Sequence, residues 1–208
     1  MKNALVLATR NPGKIREFRR LLRELAPDLS WSLVGADDAG LLDVQESGLT
    51  FADNARIKAV SAARQCDLPC LGEDSGLEVD YLDGAPGVMS HRFSPSGEDH
   101  ENNLLLLKKL ENVPWEKRTA RYRSAIVVAD SQGVVALAEG TVEGYITEAL
   151  LGTNGFGYDP LFFVSSLGKT LGQATDGEKD AISHRRRALE AVLKDGLYAY
   201  WSSFGHSR

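Results

Sequence analysis

The sequence predicts an α/β protein with a mixed sheet and flanking helices, and three observations predict it. A short, wholly apolar run near the start leads through a tight polar turn into an amphipathic helix. Two long alternating stretches at 120–130 and 133–144 read as antiparallel strands around a turn from Asp130 to Gly133. Between and beyond them, strand-like and helix-like patterns interleave.

In order, "ALVLA" (4–8) is short, apolar and stopped by polar residues, as a buried strand is. Asn11 suits an N-cap, Pro12 the first helical position, and Ile15, Phe18, Leu21, Leu22 and Leu25 recur at helical spacing. "SWSLVG" (30–35) alternates like a second strand. Thr50 with Asp53 resembles a capping box, opening a helix through Ile57, Ala59, Val60 and Ala63. Residues 68–82 read as a strand, a glycine-marked break and another strand, which puts Asp74 at a strand's end. Residues 84–99 are loop by composition, and a Leu-rich helix follows near 101–111. After the strand pair come a loop containing "GTNGFGYDP", a strand "LFFV", and a final helix "SHRRRALEAVL" capped by Ser183.

The chain has 208 residues, enough for a sizeable core in one domain spanning 1–208, with no repeat or linker to divide it. A net charge of −5 argues against nucleic-acid or membrane partners. Cys66 and Cys70, without nearby histidine, are too few for a zinc site or a disulfide scaffold and read as reduced thiols. The N-terminal apolar run is too short for a signal peptide, and no stretch is apolar enough to span a bilayer, so a cytoplasmic protein is expected.

Four stretches could carry chemistry. "TRNPGK" (9–14) delivers a strand into a helix N-terminus, where backbone N–H groups attract anions, Gly13 permits close approach and Lys14 adds charge. It is not the common phosphate loop, which needs glycine at position 8 and a hydroxyl at 15, where this chain has Ala8 and Ile15. Glu46, Glu73 and Asp74 are acids that, beside a phosphate, imply Mg²⁺, a cation that prefers oxygen ligands and substrate phosphates. "TNGFGYDP" (153–160) holds one aromatic ring and one acid in a stiff loop, suited to stacking on a flat base and reading its edge. In "EKDAISHRRRAL" (178–189), cations at a helix N-terminus oppose its macrodipole, so an anionic or carbonyl-rich partner is expected.

Taken in order, "TRNPGK", "ESGLTFADNA", "EDSGLEVD", "GAPGVMSHRFS", "TNGFGYDPLFF" and "EKDAISHRRRAL" resemble the inosine/xanthosine triphosphate pyrophosphatase family, from about residue 4 to residue 189. The resemblance implies a hydrolase for deaminated purine nucleoside triphosphates (ITP, dITP, XTP), dependent on Mg²⁺, with two lobes around a central nucleotide cleft and a homodimeric assembly. By matching position, Thr9, Arg10, Asn11, Pro12, Gly13 and Lys14 resemble its triphosphate loop, Asp74 its catalytic and metal-binding carboxylate, Ser75 a substrate contact and Glu46 a metal-site acid. Phe156, Gly157, Tyr158 and Asp159 resemble the base loop, with Lys179, His184 and Arg185 completing the site; His184 and Arg185 are expected to pair with the carbonyl of the base. Arg10, Glu73 and His91 depart from the family's usual pattern without removing a matched functional residue. Two alternatives remain open at this point: a pyrophosphatase for other modified nucleotides, and a nucleotide-binding sensor without turnover.

Overall fold

A computed structural model of the chain describes residues 4–28 and 31–205. The described residues fold into a seven-stranded mixed sheet with flanking helices. Strand β1 (Ala4–Leu7) is buried throughout and pairs in parallel with β2 (Ser32–Gly35) and β3 (Cys70–Val79). Such two-sided burial explains why its sequence is a continuous apolar run. The remaining strands are β4 (Thr119–Asp130), β5 (Gly133–Ile146), β6 (Phe162–Val164) and β7 (Lys169–Thr170), and the order across the sheet is β2-β1-β3-β4-β5-β6-β7. The β5–β6 and β6–β7 pairs are antiparallel.

Local chemistry sets the helix starts. In α1 (Pro12–Leu25) the Asn11 side chain accepts from the Lys14 N–H, with proline at the first position. In α2 (Phe51–Cys66) Thr50 and Asp53 form a reciprocal capping box. The Leu-rich helix is α3 (Asp99–Lys109). A second capping box, Thr175 with Glu178, opens α4 (Asp176–Ile182), a helix that sequence patterning misses because it is only two turns long. Ser183 is extended and directly precedes α5 (His184–Val192). The expected final helix does not stop there: a π turn (Leu193–Leu197) leads into α6 (Tyr198–Gly205), whose Trp201 joins the core. The expected strand at 30–35 begins at Ser32, and Ser30 lies outside the described residues.

One reading of the sequence is corrected. The expected break within 68–82 is absent: β3 runs unbroken for 10 residues before a 3-10 turn (Asp80–Leu82), and Asp74 stands inside the strand rather than at its end. Gly72 serves close packing instead of a turn: a Cβ there would lie 2.2 Å from the Ala55 carbonyl oxygen and 2.6 Å from the Ala59 nitrogen, both in α2. The same residue type does both jobs, and only the neighbouring helix distinguishes them.

The chain divides into two compact units. Unit 1 comprises residues 1–74, 124–140 and 185–208; its core gathers Leu5, Leu7, Phe18, Leu21, Leu71, Ile126, Leu189 and Trp201. Unit 2 comprises residues 75–123 and 141–184, with a core of Leu77, Leu106, Tyr122, Ile146, Tyr158, Leu161 and Phe162. Cys66 and Cys70 are free thiols whose sulfurs lie 3.4 Å apart. No described helix is long and apolar enough to cross a membrane.

Candidate functional site

In unit 1, the turn after β1 and the middle of β3 bring a charge cluster together. Lys14 in the first turn of α1 places Nζ 2.8 Å from Glu73 Oε2. Glu73 is fully buried and also accepts from Ser124 Oγ at 3.0 Å and Arg185 Nε at 3.1 Å. Arg185 extends to Glu17 Oε2 at 3.1 Å, so one guanidinium serves two buried carboxylates. Burial alone would raise the Glu73 carboxyl, but the Lys14 and Arg185 cations outweigh it and hold it far below the usual carboxylate range. Burial pulls the Lys14 ammonium below its ordinary value, against the opposing pull of Glu73.

Asp74, the next residue, is held from two sides. Its Oδ2 accepts from Asn54 Nδ2 at 3.1 Å, and its Oδ1 lies 3.1 Å from Lys58 Nζ. The same ammonium lies 3.0 Å from Glu46 Oε2. Burial raises the Asp74 carboxyl above its ordinary value despite Lys58, which makes it a better proton acceptor than an exposed aspartate. Lys58 is shifted upward, Asp74 and Glu46 overcoming the desolvation that opposes them. Sequence reasoning missed Lys58 and Asn54. Their signal was the spacing of four within α2, which puts both on one helix face toward β3.

Glu46 and Asp74 thus aim one oxygen each at a single cationic point, which is what a bridging divalent cation would require of them. Among the described residues no group of three His, Cys, Asp or Glu side chains forms a closed metal cage.

The rest of "TRNPGK" acts structurally in part. Thr9 Oγ1 accepts from the Asn11 N–H, and the Asn11 side chain takes the Lys14 N–H. Pro12 carries no N–H, and Gly13 follows it in the first turn of α1. Arg10 pairs with Asp37 at 2.6 Å and with Asp43, and donates to the Leu41 carbonyl at 2.5 Å.

Unit 2 holds the aromatic loop. Lys179, buried on α4, pairs with Asp159 Oδ2 at 2.5 Å and lies 4.6 Å from the centroid of the Phe156 ring. The Phe156 N–H donates to the same Asp159 oxygen at 2.9 Å. Tyr158 is buried in the core and its hydroxyl donates to the Ser90 carbonyl at 2.8 Å, so it anchors the loop from below. His184 stacks on Tyr122, with ring centroids 4.8 Å apart and planes 9° from parallel. Ser75 follows Asp74 on β3.

The structure therefore joins Lys14 and Arg185 at Glu73, Glu46 and Asp74 at Lys58, and Phe156 and Asp159 at Lys179. Two of the cations that open α5 rest on carboxylates of the chain itself, Arg185 on Glu73 and Glu17 and Arg186 on Glu24 and Glu190.

Comparison with known proteins agrees with the motif resemblance. A family model described as the Ham1 family matches residues 5–195. A dITP/XTP pyrophosphatase of Exiguobacterium sibiricum is 47% identical, covering 90% of this chain and 94% of its own. One of Thermus thermophilus is 45% identical, covering 92% of each. Among solved structures, a HAM1 protein from Coxiella burnetii superposes with a TM-score of 0.81 at 36% identity, over 93% of this chain and 100% of that one. With its strand order, its motifs and these matches in agreement, the chain belongs to the Ham1 family.

Proposed function

We propose that the protein hydrolyses deaminated purine nucleoside triphosphates (ITP, dITP and XTP) between the α and β phosphates, releasing the monophosphate and pyrophosphate and so keeping such nucleotides out of nucleic-acid precursor pools. The observation that carries this reading is the convergence of Glu46 and Asp74 on one cationic point, a helical turn's reach along α2 from the asparagine that fixes Asp74. A sensor that merely bound nucleotide would have no need of two carboxylates so arranged. The relatives, both dITP/XTP pyrophosphatases, support the same chemistry.

Lys14 and Lys58 supply two ammonium groups to a triphosphate's charge, and both already rest on carboxylates that hold them in place. Asp74, with Oδ2 fixed by Asn54 and its basicity raised by burial, accepts the proton of the attacking water. Glu46 and Asp74 are the residues that would hold Mg²⁺, which when bound neutralises charge on the phosphates and acidifies water. Glu73, kept ionised by Lys14 and Arg185, does not compete for that proton. At the base end, Phe156 offers a stacking face, and His184 offers a donor for the 6-carbonyl of hypoxanthine or xanthine, joined by Lys179 in place of the expected Arg185, which Glu73 and Glu17 already hold; adenine would set an amino group against these donors. A homodimer is part of this reading, checked by sedimentation velocity.

The test is a panel of nucleoside triphosphates with Mg²⁺ in ¹⁸O-labelled water. ITP, dITP and XTP should give labelled monophosphate and unlabelled pyrophosphate, with ATP slower by orders of magnitude. Orthophosphate released from the γ position, or ATP as best substrate, would overturn the proposal.

A further inference from the structure

The aromatic loop is gripped from outside by two residues of α3 that lie in none of the chemistry-bearing stretches. Asp99 Oδ2 accepts the Gly157 N–H at 2.6 Å, and Asn103 Nδ2 donates to the Gly157 carbonyl at 2.8 Å. Both polar groups of one residue are therefore held by one helix. The two side chains stand four apart on α3, hence one above the other on the same face. Asn103 is buried and its amide also donates to the Asp99 carbonyl at 2.8 Å, which ties its orientation to the first turn of the helix.

Gly157 adopts φ +63°, a conformation that side-chain-bearing residues seldom take, directly after Phe156. A left-handed peptide between two aromatic residues determines where the preceding ring points. Phe156 is tied to Asp159 through both backbone groups, its N–H donating to the carboxylate at 2.9 Å and its carbonyl accepting the Asp159 N–H at 3.3 Å, and Tyr158 is fixed through its hydroxyl to Ser90. Within the turn that the Asp159 N–H closes on the Phe156 carbonyl, the N–H and carbonyl of Gly157 are the groups that α3 holds. With that grip, the ring is set before any ligand arrives, and the ordering cost of binding is already met by the fold.

We infer that Asp99 and Asn103 are positioning residues for purine recognition: by clamping the Gly157 peptide on both sides they hold the Phe156 ring ready to stack on the base. The inference rests on the reading that this loop receives the base. It makes α3 a determinant of affinity for the base, separate from the charged cluster of unit 1 that deals with phosphate.

The experiment compares the unaltered protein with Asp99→Ala, Asn103→Leu and Asp99→Asn, measuring kcat and KM for ITP and the affinity for inorganic pyrophosphate by calorimetry. Loss of one such hydrogen bond should raise KM for ITP about tenfold, the effect of a charge-assisted bond, with kcat changed by less than about threefold. Pyrophosphate, having no base, should bind all four proteins alike. Asp99→Asn keeps an oxygen acceptor for the Gly157 N–H and should recover most of the loss. Unchanged KM in both Asp99→Ala and Asn103→Leu would overturn the inference, as would a parallel loss of pyrophosphate binding, which marks general structural damage. Failure of the unaltered protein to turn over ITP would instead overturn the functional reading, and this inference with it.

Discussion

Lys14 and Glu73 form an ion pair of 2.8 Å at which the turn after β1 meets the middle of β3, and Glu73 is almost wholly shielded from solvent. Its carboxyl is held far below the ordinary range in the folded protein, whereas the unfolded chain protonates it near pH 4 to 5, about the usual value. A group depressed in this way stabilises the fold fully above that range, and the contribution drains away as pH falls toward the folded value. Thermal melts between about pH 7 and pH 3 should therefore fall more steeply for the unaltered protein than for Glu73→Gln. At neutral pH, Glu73→Gln should be destabilised by about 3 kcal/mol, because Lys14 and Arg185 lose a shared counter-ion in a buried place. Parallel curves for the two proteins would show that the pair carries no such linkage.

Asp74→Asn retains the shape of the side chain and removes its charge. Turnover of ITP should fall by roughly 10²-fold or more, the range seen on losing a general base. Lys14→Ala should instead affect both KM and kcat, since a phosphate contact acts in ground and transition states alike. Steady-state kinetics decide, and near-normal turnover in Asp74→Asn would move the proton acceptor to another residue.

Gly72→Ala should destabilise the fold although it adds only a methyl group. Its Cβ would meet backbone atoms of α2 at 2.2 and 2.6 Å, and backbone cannot swing aside as a side chain can. Overpacking of this kind costs about 1–3 kcal/mol or more, which for a chain this size lowers Tm by about 2–4 °C per kcal/mol. Scanning calorimetry measures it, and an unchanged Tm would mean that α2 lies further from β3 than the structure places it.

Lys179 and Asp159 form a buried pair whose members should prove strongly coupled. Lys179→Met leaves the Asp159 carboxylate buried without its ammonium, at a cost of about 3 kcal/mol. Asp159→Asn in the same chain should restore part of that loss, giving a coupling energy of at least about 1 kcal/mol in a double-mutant cycle. Urea unfolding of the four proteins gives the number, and additive effects would deny the coupling.

The parts of the molecule legible in the sequence are those fixed by neighbours within a turn or two. Asn11 and Pro12 announce α1, and Thr50 with Asp53 announces α2, because caps act within three residues. Asp74, Glu46 and the loop around Phe156 stand out in the sequence by residue type and motif order. Lys58 was missed: a lysine on a helix looks solvated until β3 supplies Asp74 beside it. Arg185 was legible as a cation needing an anion, yet its partners Glu17 and Glu73 come from distant segments that no local pattern names. Asp99 and Asn103 escaped for the same reason, since the backbone they grip lies more than fifty residues away. The false break in β3 arose where a glycine's role depends on a helix packed against it.

The double role of Arg185 also bears on how the protein is made. Glu17 leaves the ribosome 168 residues before the arginine that neutralises it, and Glu73 leaves 112 residues before. Both segments of unit 2 are synthesised in that interval, whereas unit 1 lacks α5 and α6 until both unit 2 segments have been made. A nascent chain stalled before residue 185 should thus present an early β1–α1–β3 portion in which Glu17 lacks its arginine, Glu73 rests on Lys14 alone and an apolar face is open, the kind of intermediate that chaperones engage. The same stretch that carries Arg185 also carries Leu189, Val192 and Trp201, so the missing cation and the missing core side chains arrive together.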